Sequence, residues 1–172
     1  MNVELPATWR QRILPRLPRL VGVAAALLCA APPALAQGEV LLTVIESASG
    51  KEITFDRGDL EALPRHRLDT HTSVTDGVHH FEGPLMRDLL GVAQFHGEEI
   101  LATALNDYEV TIPLSDFERF DVIAALEMDG KALTPRDKGP IWIVYPRDDH
   151  AELQDIRFDY RWVWQLCRVE IR

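Results

Sequence analysis

From Glu39 onward, no apolar run in this chain travels far before a turn residue stops it. Ser49-Gly50, Asn106-Asp107, Asp129-Gly130, Gly139-Pro140 and Pro146 cut the sequence into short segments. Asp-Gly is the strongest short hairpin signal of these, because both residues tolerate the positive φ of a tight two-residue turn. Between the breaks lie β-branched and alternating stretches that read as strands: 39–46, 51–55, 66–72, 78–82, 100–105, 108–114, 122–128, 131–133, 141–145 and 162–171. Helix signals are fewer. Asp56 is placed to cap a short helix carrying Leu60 and Leu63, and Gly83-Pro84 predicts a helix with proline in its first turn and Leu85, Leu89 and Leu90 facing inward. Ser115 to Glu118 fits a capping box, and 148–156 reads as a further short helix. Many short strands with a few short helices, and no regular alternation between them, predict an α+β domain with a mixed sheet rather than a doubly wound one.

The first 36 residues read differently. Arg10, Arg12, Arg16 and Arg19 precede an apolar run, 20–31, and Ala34-Leu35-Ala36 offers small residues at the positions a signal peptidase reads. The run is shorter than the roughly 20 residues that span a bilayer. Residues 1–36 are therefore expected to be a signal peptide, residues 37–172 the single exported domain, periplasmic or secreted, with no membrane span after cleavage. Cys29 leaves with the leader, and Cys167 is then unpaired, so stability must come from an apolar core. The whole chain has a formal charge of −9, and removal of the arginine-rich leader makes it more acidic. Such a domain is not expected to bind nucleic acid or an anionic membrane, both of which need a basic face.

Unusual chemistry gathers in 65–92. It holds His66, His71, His79 and His80, four of the six histidines, and a hydroxyl-rich loop with Thr70, Thr72, Ser73 and Thr75. Imidazoles bind transition metals, but adjacent His79 and His80 would face opposite sides of a strand. His71 and His79 are the weak metal candidates, and a histidine-based metal binder is one reading. Thr70, Thr72, Thr75 and Asp76 allow two others: a rim holding an anion or small polar ligand, aided by the dipole of a helix starting at Pro84, or a turn closed by its own side chains. No Gly-x-Ser-x-Gly elbow, phosphate loop or His-Glu-x-x-His helix is present.

Three segments, FEGPLMRDLL, ALNDYEVTIPL and LEMDGKALTPRDKGPIWIVYP, resemble in order and spacing the molybdopterin-binding domain of the sulfite oxidase family of oxidoreductases. WVWQLCRVEI is similar to the closing strand of that family's small exported members. The resemblance implies the sulfite-oxidase fold and a cofactor cleft with Thr70, His71, Thr72, Asp76, Tyr108 and Arg161 as candidate lining, beside Trp162. It also implies, in catalytic members, a cysteine thiolate on molybdenum. That position falls at or near Thr70, and the family's following tryptophan is replaced by Val74. A threonine hydroxyl stays protonated at neutral pH and is a poor substitute for a thiolate. Two functions are expected to compete. One is an exported binding, accessory or sensory domain with no metal cofactor and no catalytic residue, taking a small polar or anionic ligand or an exported sensor or redox partner. The other is a molybdopterin-dependent oxidoreductase that holds its cofactor without a protein cysteine.

Overall fold

A computed structural model describes residues 38–172; the leader expected at 1–36, with Cys29, lies outside the described residues. Strand β1 (Leu42–Glu46) turns at Gly50, which takes a φ of 68°, into β2 (Glu52–Phe55). Asp56 then starts α1 (Arg57–Glu61) with a reciprocal cap: its carboxylate accepts from the Asp59 amide at 2.9 Å, and Asp59 returns the bond at 3.0 Å. The long hairpin of β3 (Arg65–His71) and β4 (Val78–Pro84) follows, then α2 (Met86–Ala93). A second hairpin joins β5 (Glu99–Ala104) to β6 (Glu109–Pro113) through Asp107, at a φ of 62°. After α3 (Leu114–Arg119) come β7 (Ile123–Ala125), β8 (Glu127–Met128), β9 (Lys131–Ala132) and β10 (Trp142–Val144). Two 3-10 turns, Ala151–Gln154 and Ile156–Arg161, lead to β11 (Leu166–Ile171).

The strands form three sheets. Five lie in the order β2-β1-β11-β5-β6, four in the order β3-β4-β8-β9, and β7 pairs with β10. β1 and β11 run parallel while every other pair is antiparallel. This is the mixed-sheet α+β architecture the punctuation predicts. The last strand enters the middle of the five-stranded sheet, so Val44 and Val169 sit side by side, both fully buried. Elsewhere in the core Phe81 meets Trp142 edge-on, ring centroids 5.3 Å apart, an arrangement favoured by the ring quadrupoles.

Four local expectations are corrected by tertiary contacts. Pro84 is not the first helical residue: it closes β4 opposite Arg65, and Leu85 bridges to Ile123, so α2 begins only at Met86. The 122–128 segment is not one strand. Gly83 lies so close to the Ala124 carbonyl that the chain bends there, placing β7 against β10 and β8 against β4. The capping box at Ser115–Glu118 does not form, because α3 already starts at Leu114 and Asp116 turns inward instead. The 148–156 helix is replaced by the two 3-10 turns, with Asp155 accepting from the Arg157 amide at 2.9 Å to start the second. A fifth difference concerns the closing strand. It begins at Leu166, after Gln165 takes a φ of 56°, which frees 160–164 to leave the sheet.

Candidate functional site

The β3–β4 hairpin fixes its connecting loop, 72–77, above the turn of the β5–β6 hairpin and beside the irregular 160–164 segment. Thr70 is fully buried, and its hydroxyl is already engaged: it donates to the His71 carbonyl at 3.2 Å and accepts from the Asp148 amide at 3.3 Å. Thr72 is also buried; its hydroxyl shares a 2.7 Å bond with that of Thr75 and accepts from the Val74 amide at 3.1 Å. The loop is thus closed by its own hydroxyls, which is the second of the two readings above. An anion rim here loses its other support as well. α2 begins at the far end of β4, and seven extended residues hold its N-terminus roughly 20 Å from the loop. Asp76 is exposed and holds no side-chain hydrogen bond among the described residues.

The histidines are distributed rather than gathered. The His71 ring and backbone both engage one Asp148 oxygen, at 2.8 and 2.9 Å. His79 pairs with Asp129 at 2.7 Å, His80 with Asp69 at 2.6 Å and His66 with Asp88 at 3.9 Å. Each of these four imidazoles has its own carboxylate, and among the described residues no three His, Cys, Asp or Glu side chains converge as metal ligands. The weak candidates His71 and His79 therefore sit in separate pairs.

These pairs act on their acids. The His80 ring holds Asp69 below the ordinary carboxylate range, and the His80 amide and His79 ring do the same for Asp129. At Asp148 burial pushes upward, but the His71 ring and amide outweigh it and the carboxyl ends low. A carboxyl whose folded pKa is depressed adds stability above its unfolded value, near 3.9, and loses it as pH falls through the folded value. In denaturant melts these carboxyls are therefore expected to contribute a fall in stability between about pH 4 and 2. Asp129→Asn should make that fall shallower; an unchanged slope would remove Asp129 from the account.

Beneath the surface, Asp116 on α3 is 3% exposed and receives two donors, Tyr145 OH at 3.0 Å and the Arg161 guanidinium. Burial first, and the Asp116 charge second, push the Tyr145 phenol well above its ordinary value, so it remains a donor. Arg161 also lies over the Phe158 ring, 4.7 Å from its centre, and over Tyr160 at 5.5 Å. This cluster ties α3, β10 and the second 3-10 turn together. Arg161, expected in the cleft, is committed to this tie.

An aromatic cleft of about 380 Å³ opens beside this cluster. Its walls are Tyr108, Tyr160, Trp162 and Trp164, with Ser73, Val74, Asn106 and Asp159 completing the lining. Tyr108 OH donates to the Tyr160 carbonyl at 2.9 Å, tying the hairpin turn to the 3-10 turn. Burial, with Tyr160 beside it, raises the Tyr108 phenol. Asp159 is ion-paired to Arg147 at 2.7 Å. Of the six candidates read from the sequence, Tyr108 lines the cleft, while Thr70, His71 and Thr72 brace the loop that carries Ser73 and Val74. Residues missed were Ser73, Val74, Asn106, Asp159, Tyr160 and Trp164. Asp159 and Tyr160 lie in the second 3-10 turn, which leaves no distinctive periodicity to find them by.

Residues 39–148 match the family model of the oxidoreductase molybdopterin binding domain. The chain belongs to this family. No curated protein matches it. The family's description names molybdopterin, so the cleft can be weighed as a molybdenum site. The fit is poor. Thr70 lies outside the lining with its hydroxyl buried and doubly engaged, the one carboxylate in the lining is that of Asp159, and among the described residues no cation lines the cleft to meet the cofactor's phosphate. Cys167 stands outside this lining on β11, where its thiol donates to the Thr103 carbonyl at 3.4 Å and burial raises its pKa, both of which disfavour a thiolate ligand.

Proposed function

We propose that this family member is an exported, non-catalytic binding or accessory domain that retains the oxidoreductase fold and uses the aromatic cleft for a small organic ligand. The observation that carries the reading is Thr70, at or near the position the family resemblance assigns to the metal-binding cysteine, with its hydroxyl spent on the His71 carbonyl and the Asp148 amide. A soft, high-valent metal gains little from a neutral hydroxyl that is already bonded on both sides. The cleft, in contrast, has the features of a small-molecule site: a concave, mostly apolar wall with a few polar groups at its edge.

Protein purified from its native host and assayed for molybdenum and pterin tests this directly. Far less than one equivalent of each is the expected result, and stoichiometric molybdenum would end the reading.

A further inference from the structure

Among the described residues nine large apolar side chains are exposed, and three of them are aromatic: Tyr108, Tyr160 and Trp164. All three border the one cleft, together with exposed Val74 and the edge of buried Trp162. Scattered exposed apolar groups need no explanation, but a gathered set marks a binding surface. The Tyr108 ring is also held in place, by the bond from its hydroxyl to the Tyr160 carbonyl.

The charge around this set has a sign. The lining's one ionisable acid or base outside the phenols is Asp159, balanced by Arg147. Nearby, Arg161, whose guanidinium lies over the Tyr160 ring, is neutralised by buried Asp116, and Arg157 by Asp155. Asp76 and Asp107 sit on the loops that supply Val74 and Asn106, and neither has a cationic partner among the described residues. An anion entering here would meet aromatic faces, which are electronegative, and the carboxylate of Asp159. A cation would be attracted by both. A metal ion or primary ammonium is strongly hydrated and would give up water for rings that cannot replace it by hydrogen bonding. Alkylation removes that cost while keeping the charge, which is why aromatic cages select alkylated ammonium groups.

We infer that the cleft binds an alkylated organic cation of the quaternary ammonium class, its alkyl groups against Tyr108, Tyr160, Trp162 and Trp164 and its charge towards Asp159. This rests on the reading of the domain as a binding module and names the ligand class of that same cleft.

The test is a titration of the native protein with choline and with its neutral carbon isostere, neohexyl alcohol, followed by tryptophan fluorescence and calorimetry. Choline is expected to saturate and to bind at least about tenfold more tightly than the isostere. Trp164→Ala should weaken choline by about tenfold while leaving the melting temperature within a few degrees, because that ring is exposed at 37%. Equal binding of the isostere, absence of saturation, or competition by inorganic phosphate would each overturn the inference. Molybdenum content measured on the same sample keeps the two readings apart. A metal-free protein that ignores choline removes only the ligand class, whereas stoichiometric molybdenum removes the binding-module reading itself.

Discussion

Arg161→Met is expected to destabilise the domain by about 3–5 kcal/mol, the usual cost of removing one partner of a buried ion pair. Asp116, at 3% exposure, would be left with only the Tyr145 hydroxyl as a donor, and a hydroxyl at 3.0 Å does not replace a charge. The loss is large against the roughly 5–15 kcal/mol that holds a domain of this size together. Urea melts should show a lower midpoint with an unchanged slope. The double variant Asp116→Asn with Arg161→Met is the informative control: with the charge gone as well as its partner, much of the lost stability should return, because the penalty is mainly that of an uncompensated buried carboxylate. If the double variant were as unstable as the sum of the single ones, the ion pair would not be the cause.

Gly83→Ala should cost about 3 kcal/mol or more, through steric overlap rather than electrostatics. A methyl group at that position would lie 2.0 Å from the Ala124 carbonyl oxygen and 3.0 Å from the Ala125 Cα, both backbone atoms that cannot turn aside. Relief would require β4 and β7 to separate, and with them the bend that hands the chain from one sheet to another. Low soluble yield or a melting temperature many degrees below that of the parent is expected. Gly91→Ala gives the contrast. Nothing lies within 4 Å of its added methyl, it is exposed on α2, and alanine there should stabilise by about 0.5–1 kcal/mol through helix propensity. Two equal substitutions with opposite signs would separate close backbone approach from a general intolerance of change.

The elements themselves were legible where one local signal acted alone. Asp56 capped its helix, and Asp129-Gly130 and Asn106-Asp107 turned their hairpins, because each turn or cap is decided by residues adjacent in sequence. Signals failed where a distant strand competed. Pro84 is locally suited to open a helix, yet pairing with Arg65 keeps it extended. The Ser115–Glu118 pattern promises a cap, yet Asp116 gains more from Tyr145 and Arg161 than from a surface turn. The candidate site was legible in part. Tyr108 was found because the family resemblance points to its region, whereas Tyr160 and Asp159 were not, since a 3-10 turn leaves no distinctive periodicity.

The sequence by itself determined the class of fold and the absence of an internal disulfide in residues 37–172. Those follow from residue identity and short-range spacing, and no folding event can change them. The tertiary structure alone decided that the Thr70 and Thr72 hydroxyls are used internally, that the histidines divide among separate carboxylates, and that aromatic residues from two distant segments share one cleft. The last of these depends on β11 pairing beside β1 and β5, a contact between the two ends of the domain. Such long-range pairing is set by the burial of the whole sheet rather than by any local pattern, and it is what turns three exposed rings into a site.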